Sequence, residues 1–128
     1  MLCERNCEVS FELGLSRAYF PRIHVGAVEH IWAVNYDQRH NAIPLDRDRL
    51  RSYGALQMQL RDMLFTWPTN EHAYDLPVAN GGSVFASSIR FHDNKWFALG
   101  TDFLHRLKLR LRPGEVCTID VAKNPALP

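Results

Sequence analysis

Arg106, Lys108, Arg110 and Arg112 recur at every second position, interleaved with Leu107, Leu109 and Leu111. On an extended strand this spacing sets the four cations on one face, neighbours about 6.6 Å apart, a comb matched to successive phosphates. From Ile89 to Arg112 six basic residues face two acidic ones, Asp93 and Asp102, a local charge of +4. Trp96 and Phe97 lie near in sequence and would stack on unpaired bases if exposed. The same row suits better the solvated face of an edge strand protected by charge, set opposite Glu8 and Glu12, and an acidic protein partner is a third reading.

The other chemistry-bearing residues are dispersed. His24, His30, His40, His72, His92 and His105 include no i, i+4 pair of the zinc-protease type, and Cys3-x3-Cys7 lacks a second cysteine pair. No metal and no cofactor is therefore expected. Cys117 would act as a nucleophile if His30, His92 or His105 met it in space, with Glu29 as acid or base. Its place beside Ile119 in a short strand fits an inert buried thiol better. Gly81-Gly82-Ser83 would offer amides to an anion, but it precedes a strand rather than a helix. Asp46 and Asp48, which with Asp37 would suit a hard cation, fit the first turn of a helix. Tyr74 lies in a stretch with no periodic claim on it, and its residue type suits a binding hot spot and a packed loop anchor equally.

Composition narrows the field. The chain has 128 residues, 46% hydrophobic and 23% charged, with a net charge of +1. That is ordinary usage for one globular domain, taken here as residues 1–128, and it supplies no global field to recruit nucleic acid or anionic membrane. No apolar run reaches the roughly 20 residues of a bilayer-crossing helix, and the first residues lack a basic start followed by an apolar stretch. Three cysteines, an odd count, point to reduced thiols and a cytoplasmic setting, with a Cys3–Cys7 bridge the form expected after export.

Several elements would position these residues. Cys7 to Leu13 alternates without error and reads as a half-buried strand. Ile23 to Tyr36 is β-branched and aromatic, with Val28, Trp32, Val34 and Tyr36 on one parity and Ile31 and Ala33 on the other, as in a strand covered on both sides, with a bulge at Gly26. From Asp46, the candidate cap, Leu50, Tyr53, Leu56, Leu60, Met63, Leu64 and Trp67 follow at steps of three and four. That stripe predicts one long helix ending at Pro68. Pro68 to Ser83 reads as a long loop, and Val84 to Phe91 with Trp96 to Leu99 as a hairpin. Residues 101–111 fit a helix, a strand, or a short helix followed by a strand. Pro113-Gly114 is a turn, and Val116 to Val121 a closing strand. The expected fold is α+β: one domain with a mostly antiparallel sheet of about five or six strands against one long helix.

The segment NKWFALGTDFLHRLKLRLRPGEVCTIDVA resembles the strand, short helix, Pro-Gly turn and strand of swapped-hairpin transcription regulators and antitoxins. That resemblance implies a dimeric half-barrel with basic residues on DNA. It covers about a quarter of the chain, LKLRLR is longer than the family's link, and the preceding residues have no counterpart, so it assigns no family. Missing catalytic motifs, compact size and mixed charge favour a small cytosolic, non-enzymatic binding protein: a regulator, inhibitor or adaptor. It would act through a protein interface, with a second copy of the chain among the partners considered. A nucleic-acid-binding regulator using residues 106–112 and a small enzyme with a His/Cys or His/Glu site are the alternatives.

Overall fold

Alternation of apolar and polar residues builds most of this molecule. A computed structural model describes residues 7–60, 63–112 and 118–123, with the backbone alone at 60, 109–112 and 118–123. The fold is α+β. In chain order it contains β1 (Val9–Phe11), β2 (Ala18–Pro21), a 3-10 turn (Arg22–His24) running into α1 (Val25–Trp32), and a second 3-10 turn (Arg47–Ser52). Then come β3 (Leu56–Leu60), β4 (Met63–Trp67), α2 (Thr69–His72), β5 (Ala73–Pro77), β6 (Ser83–Ser87) and β7 (Ile89–His92). The chain continues through β8 (Phe97–Leu99), α3 (Thr101–Leu104), β9 (Leu107–Arg112) and β10 (Thr118–Lys123).

Four strands form one mixed sheet in the order β1-β8-β2-β7. β1 runs parallel to β8 and β2 parallel to β7, while β2 and β8 are antiparallel. Antiparallel two-stranded ribbons β3-β4, β5-β6 and β9-β10 complete the pairing. The expected single sheet is thus corrected: among the described residues the strands are divided among four sheets, most strand pairs being antiparallel as expected while the central sheet is largely parallel.

The long helix is also corrected. Asp46 does cap a helical turn, its Oδ1 accepting the Asp48 N–H at 2.9 Å, but the turn is 3-10 and stops at Ser52. Tyr53 is extended, and beyond Gly54 the sequence LQMQL alternates, as a strand does and a helix does not. In β4 Phe65 and Trp67 are buried while Leu64 and Thr66 face out. The three-and-four stripe fails on this point: it claims Leu64, which is exposed, and omits Phe65, which is core.

Conversely, the expected strand at 23–36 is helical. Val28 and Trp32, four apart, are buried together, as one face of a helix requires. Ala33 ends α1 in the left-handed conformation (φ 53°), and the N–H groups of Ala33 and Val34 both donate to Glu29 O. Trp32 Nε1 donates to Gly54 O at 3.0 Å, tying α1 to the segment that leads into β3. The expected long loop at 68–83 holds α2 and most of the β5-β6 ribbon, turned at Gly81 (φ 84°). No β7-β8 hairpin forms, because β2 lies between the two strands. Residues 101–112 adopt the short helix followed by a strand. The Pro113-Gly114 turn lies outside the described residues.

Two main-chain hydrogen bonds tie the start of α3 to the segment leading into β2. Thr101 N–H donates to Leu15 O at 2.8 Å and Asp102 N–H to Ser16 O at 2.9 Å, so main chain closes the helix start. The approach is close enough that a Cβ on Gly100 would stand 2.4 Å from Arg17 O and 2.5 Å from Leu15 O. Below the sheet, Phe20 packs edge-on to Phe91 and Phe97, and Phe103 does the same to Phe65 and Trp67. Cys7 is disulfide-bonded. This corrects the expectation of three free thiols and removes the support they gave to a cytoplasmic setting. No helix among the described residues is long and apolar enough to cross a membrane.

Candidate functional site

Strand alternation sets the site. Ala18, Phe20, Ile89 and Phe91 point into the core, so Tyr19, Arg90 and His92 project from the opposite face of the sheet. Tyr19 and Arg90 are register partners on β2 and β7, and the Tyr19 and His92 rings lie 5.8 Å apart. Trp96 adds a partly exposed indole, its ring 6.1 Å from that of His92, and His92 Nε2 lies 2.6 Å from Trp96 O.

Tyr74 reaches this face from β5. Its hydroxyl accepts a hydrogen bond from Arg90 Nη2 at 3.0 Å, and the Arg17 guanidinium carbon sits 3.6 Å above its ring. Arg17 Nη1 also pairs with Asp102 Oδ2 at 2.9 Å, an oxygen that accepts the Ser88 hydroxyl at 2.7 Å. One tyrosine thus organises two guanidiniums, the first by cation–π stacking and the second by a hydrogen bond. Among the described residues no carboxylate lies within ion-pair distance of Arg90, and its buried Nε has no partner. The array sets guanidinium N–H groups and aromatic rings side by side on one face.

The basic row is divided. Arg106 precedes β9, is 5% exposed, and donates through Nη2 to Glu71 Oε2. It therefore leaves the outward comb, contrary to expectation, because the strand begins one residue later. Lys108 is exposed. Arg110 and Arg112 occupy alternate positions of β9, in register with Asp120 and Thr118 of β10. Glu8 and Glu12 do not oppose this row, since β1 pairs with β8. Tyr74 is half-buried and engaged by two arginines, the geometry of a packed anchor.

The catalytic pairings expected of Cys117 lie outside the described residues. A different pair does form: His72 Nδ1 lies 2.9 Å from Ser87 Oγ. Both residues are buried, and the indoles of Trp32 and Trp67 lie 5.5 and 4.6 Å from the imidazole. Burial lowers the His72 pKa to about 4. Ser87 Oγ already accepts the Ile89 N–H at 3.1 Å, so this is a core polar pair that substrate cannot reach. Among the described residues no three His, Cys, Asp or Glu side chains gather as metal ligands. The amides of the Gly81-Gly82 segment serve their own turn, with Gly81 N–H on Val78 O and Gly82 N–H on Asn80 Oδ1. Asp37 is paired with His40 at 2.6 Å, which lowers the Asp37 pKa.

Arg17, Tyr19 and Asp102 escaped the sequence reading because their grouping depends on β2 entering between β7 and β8. Arg90 and His92 were legible in part, since Ile89 and Phe91 pointing inward sends both outward. No protein-family model matches the chain, and no curated protein matches it significantly.

Proposed function

We propose that this chain is a non-enzymatic binding protein acting through a protein interface, and that the interface is the outer face of the four-stranded sheet around Tyr74. The observation carrying this reading is the ordered group of Arg17, Tyr74 and Arg90 beside Tyr19, His92 and Trp96. Tyrosine, tryptophan and arginine carry most interface energy because each combines large contact area with directed polar groups. Here they are already held in place, which reduces the ordering cost of association.

A photo-crosslinking residue placed at His92, with Gln59 on β3 as control, tests the reading in native cells. A discrete protein adduct from position 92 that excess wild-type protein competes away, and none from position 59, is the expected result. Equal or absent crosslinking at the two positions overturns it. Sedimentation of the adduct distinguishes a second copy of the chain from a different partner.

A second reading, nucleic-acid binding, draws on Lys108, Arg110 and Arg112 at alternate positions of a two-stranded ribbon, a shape that enters a DNA groove. With Arg106 withdrawn, three phosphate contacts would give a log-log salt slope of about −2.7 on duplex DNA. A flat salt response would remove it.

A further inference from the structure

We infer that the partner of this sheet face presents an acidic peptide segment, whose carboxylate seats on Arg90 and Arg17 while a neighbouring apolar side chain meets Tyr19, His92 and Trp96. The inference rests on the protein-binding reading above and names the chemistry of its partner.

Charge complementarity supports it. Two half-buried guanidiniums share the face, and Asp102, the acid paired with Arg17, also accepts the Ser88 hydroxyl on the same oxygen. Arg90 is held by the neutral hydroxyl of Tyr74, and its buried Nε has no partner among the described residues. A partly desolvated guanidinium with no counter-ion is costly, and a carboxylate accepting from its two Nη groups relieves that cost, while the buried Nε stays out of a partner's reach. Three other acids have partners of their own: Asp93 with Arg22, Asp75 with Arg47, Glu12 with Ser10.

The receptor is preformed. Arg17 is fixed between the Tyr74 ring and Asp102, and Arg90 by the Tyr74 hydroxyl, so little side-chain freedom remains to be lost. A polynucleotide is a poorer fit, because among the described residues the face offers one uncompensated cation and the whole chain carries only +1, whereas a phosphate backbone is held by several cations in succession.

The test uses fluorescent random decapeptide pools that are identical except that fixed positions carry Asp and Glu in one and Asn and Gln in the other. A single-stranded oligodeoxythymidylate serves as third probe. Binding is read by anisotropy, and Arg90 engagement by its Nε–H signal in NMR. The acidic pool should bind at least about tenfold tighter than the neutral pool, shift that signal, and lose the advantage in Arg90→Gln. Arg90→Lys, which keeps charge but not the two-pronged geometry, should lose part of it, and circular dichroism should show both variants folded.

Equal binding of the two peptide pools, unaffected by Arg90→Gln, overturns the acidic partner while a positive crosslink at position 92 preserves the interface itself. Tighter binding of the oligonucleotide through Arg90 overturns it in favour of nucleic acid. No binding by any probe overturns it too, and the crosslinking result then decides the broader reading.

Discussion

The side-chain amide of Asn41 closes on the main chain of Phe91 at both polar groups: Nδ2 donates to Phe91 O at 2.9 Å, and Oδ1 accepts the Phe91 N–H at 3.0 Å. β7 is an edge strand, and this side chain stands in for a neighbouring strand at its centre. Ser87 Oγ does the same for the Ile89 N–H. Edges with unpaired polar groups invite association with other chains, so β7 is capped from within its own chain. Asn41 adopts a left-handed backbone (φ 47°), which asparagine tolerates better than most residues. The Tyr36 hydroxyl donates to Asn41 Oδ1 at 2.6 Å and fixes the orientation of the amide.

Asn41→Asp removes the donor to Phe91 O and sets a carboxylate beside that carbonyl. We expect a loss of about 1–3 kcal/mol in urea unfolding. A midpoint equal to wild type would contradict the assigned edge cap.

Two glycines should respond in opposite directions. Gly100→Ala drives a methyl into the backbone of Leu15 and Arg17, where no flexible side chain can yield, and should cost about 3 kcal/mol. Gly26 lies in α1 with open space around its Cβ position, so Gly26→Ala should add about 0.5–1 kcal/mol. Thermal unfolding of the pair checks both signs, and a stable Gly100→Ala would displace α3 from its position against residues 15–17.

His72 makes stability depend on pH. Its folded pKa is lowered by burial from 6.5 to about 4, so the unfolded chain takes up this proton first on acidification. The contribution is fully present above pH 6.5 and is lost as pH falls toward 4, by up to about 3 kcal/mol. Below pH 4 this group adds no further loss. Denaturant titrations of wild type and His72→Gln should differ in slope across that window, and parallel curves would contradict the buried neutral imidazole.

Cys7 is disulfide-bonded and the chain has three cysteines. Denatured, unreduced protein should therefore release one reactive thiol per chain. Three reactive thiols would restore the reduced state that the cysteine count suggested.

The sequence was most legible where alternation was short and unambiguous. β1, the Asp46 cap and the core position of Trp67 followed from local pattern, whereas the short helix before β9 was one of three readings that local pattern left open for residues 101–111. Between Leu50 and Trp67 the apolar residues satisfied a helical and a strand period together, and the step of three and four outweighed the plainer alternation of LQMQL. Around Val28 and Trp32 β-branched composition masked a helical pair four residues apart. The site depends on β2 separating β7 from β8, a long-range pairing that no local pattern encodes. Tyr74 could thus be singled out by residue type, but its partners Arg17 and Arg90 could not.

The central claim is that the Tyr74 face, rather than another exposed surface, receives the partner. The competing surface is the outer side of α1 and its lead-in turn, where Ile23 is 86% exposed and Ile31 54%. Crosslinking yield from position 92 should exceed that from position 31 and should fall at least about tenfold in Arg90→Gln. Adducts from position 31 with none from position 92 would contradict the account.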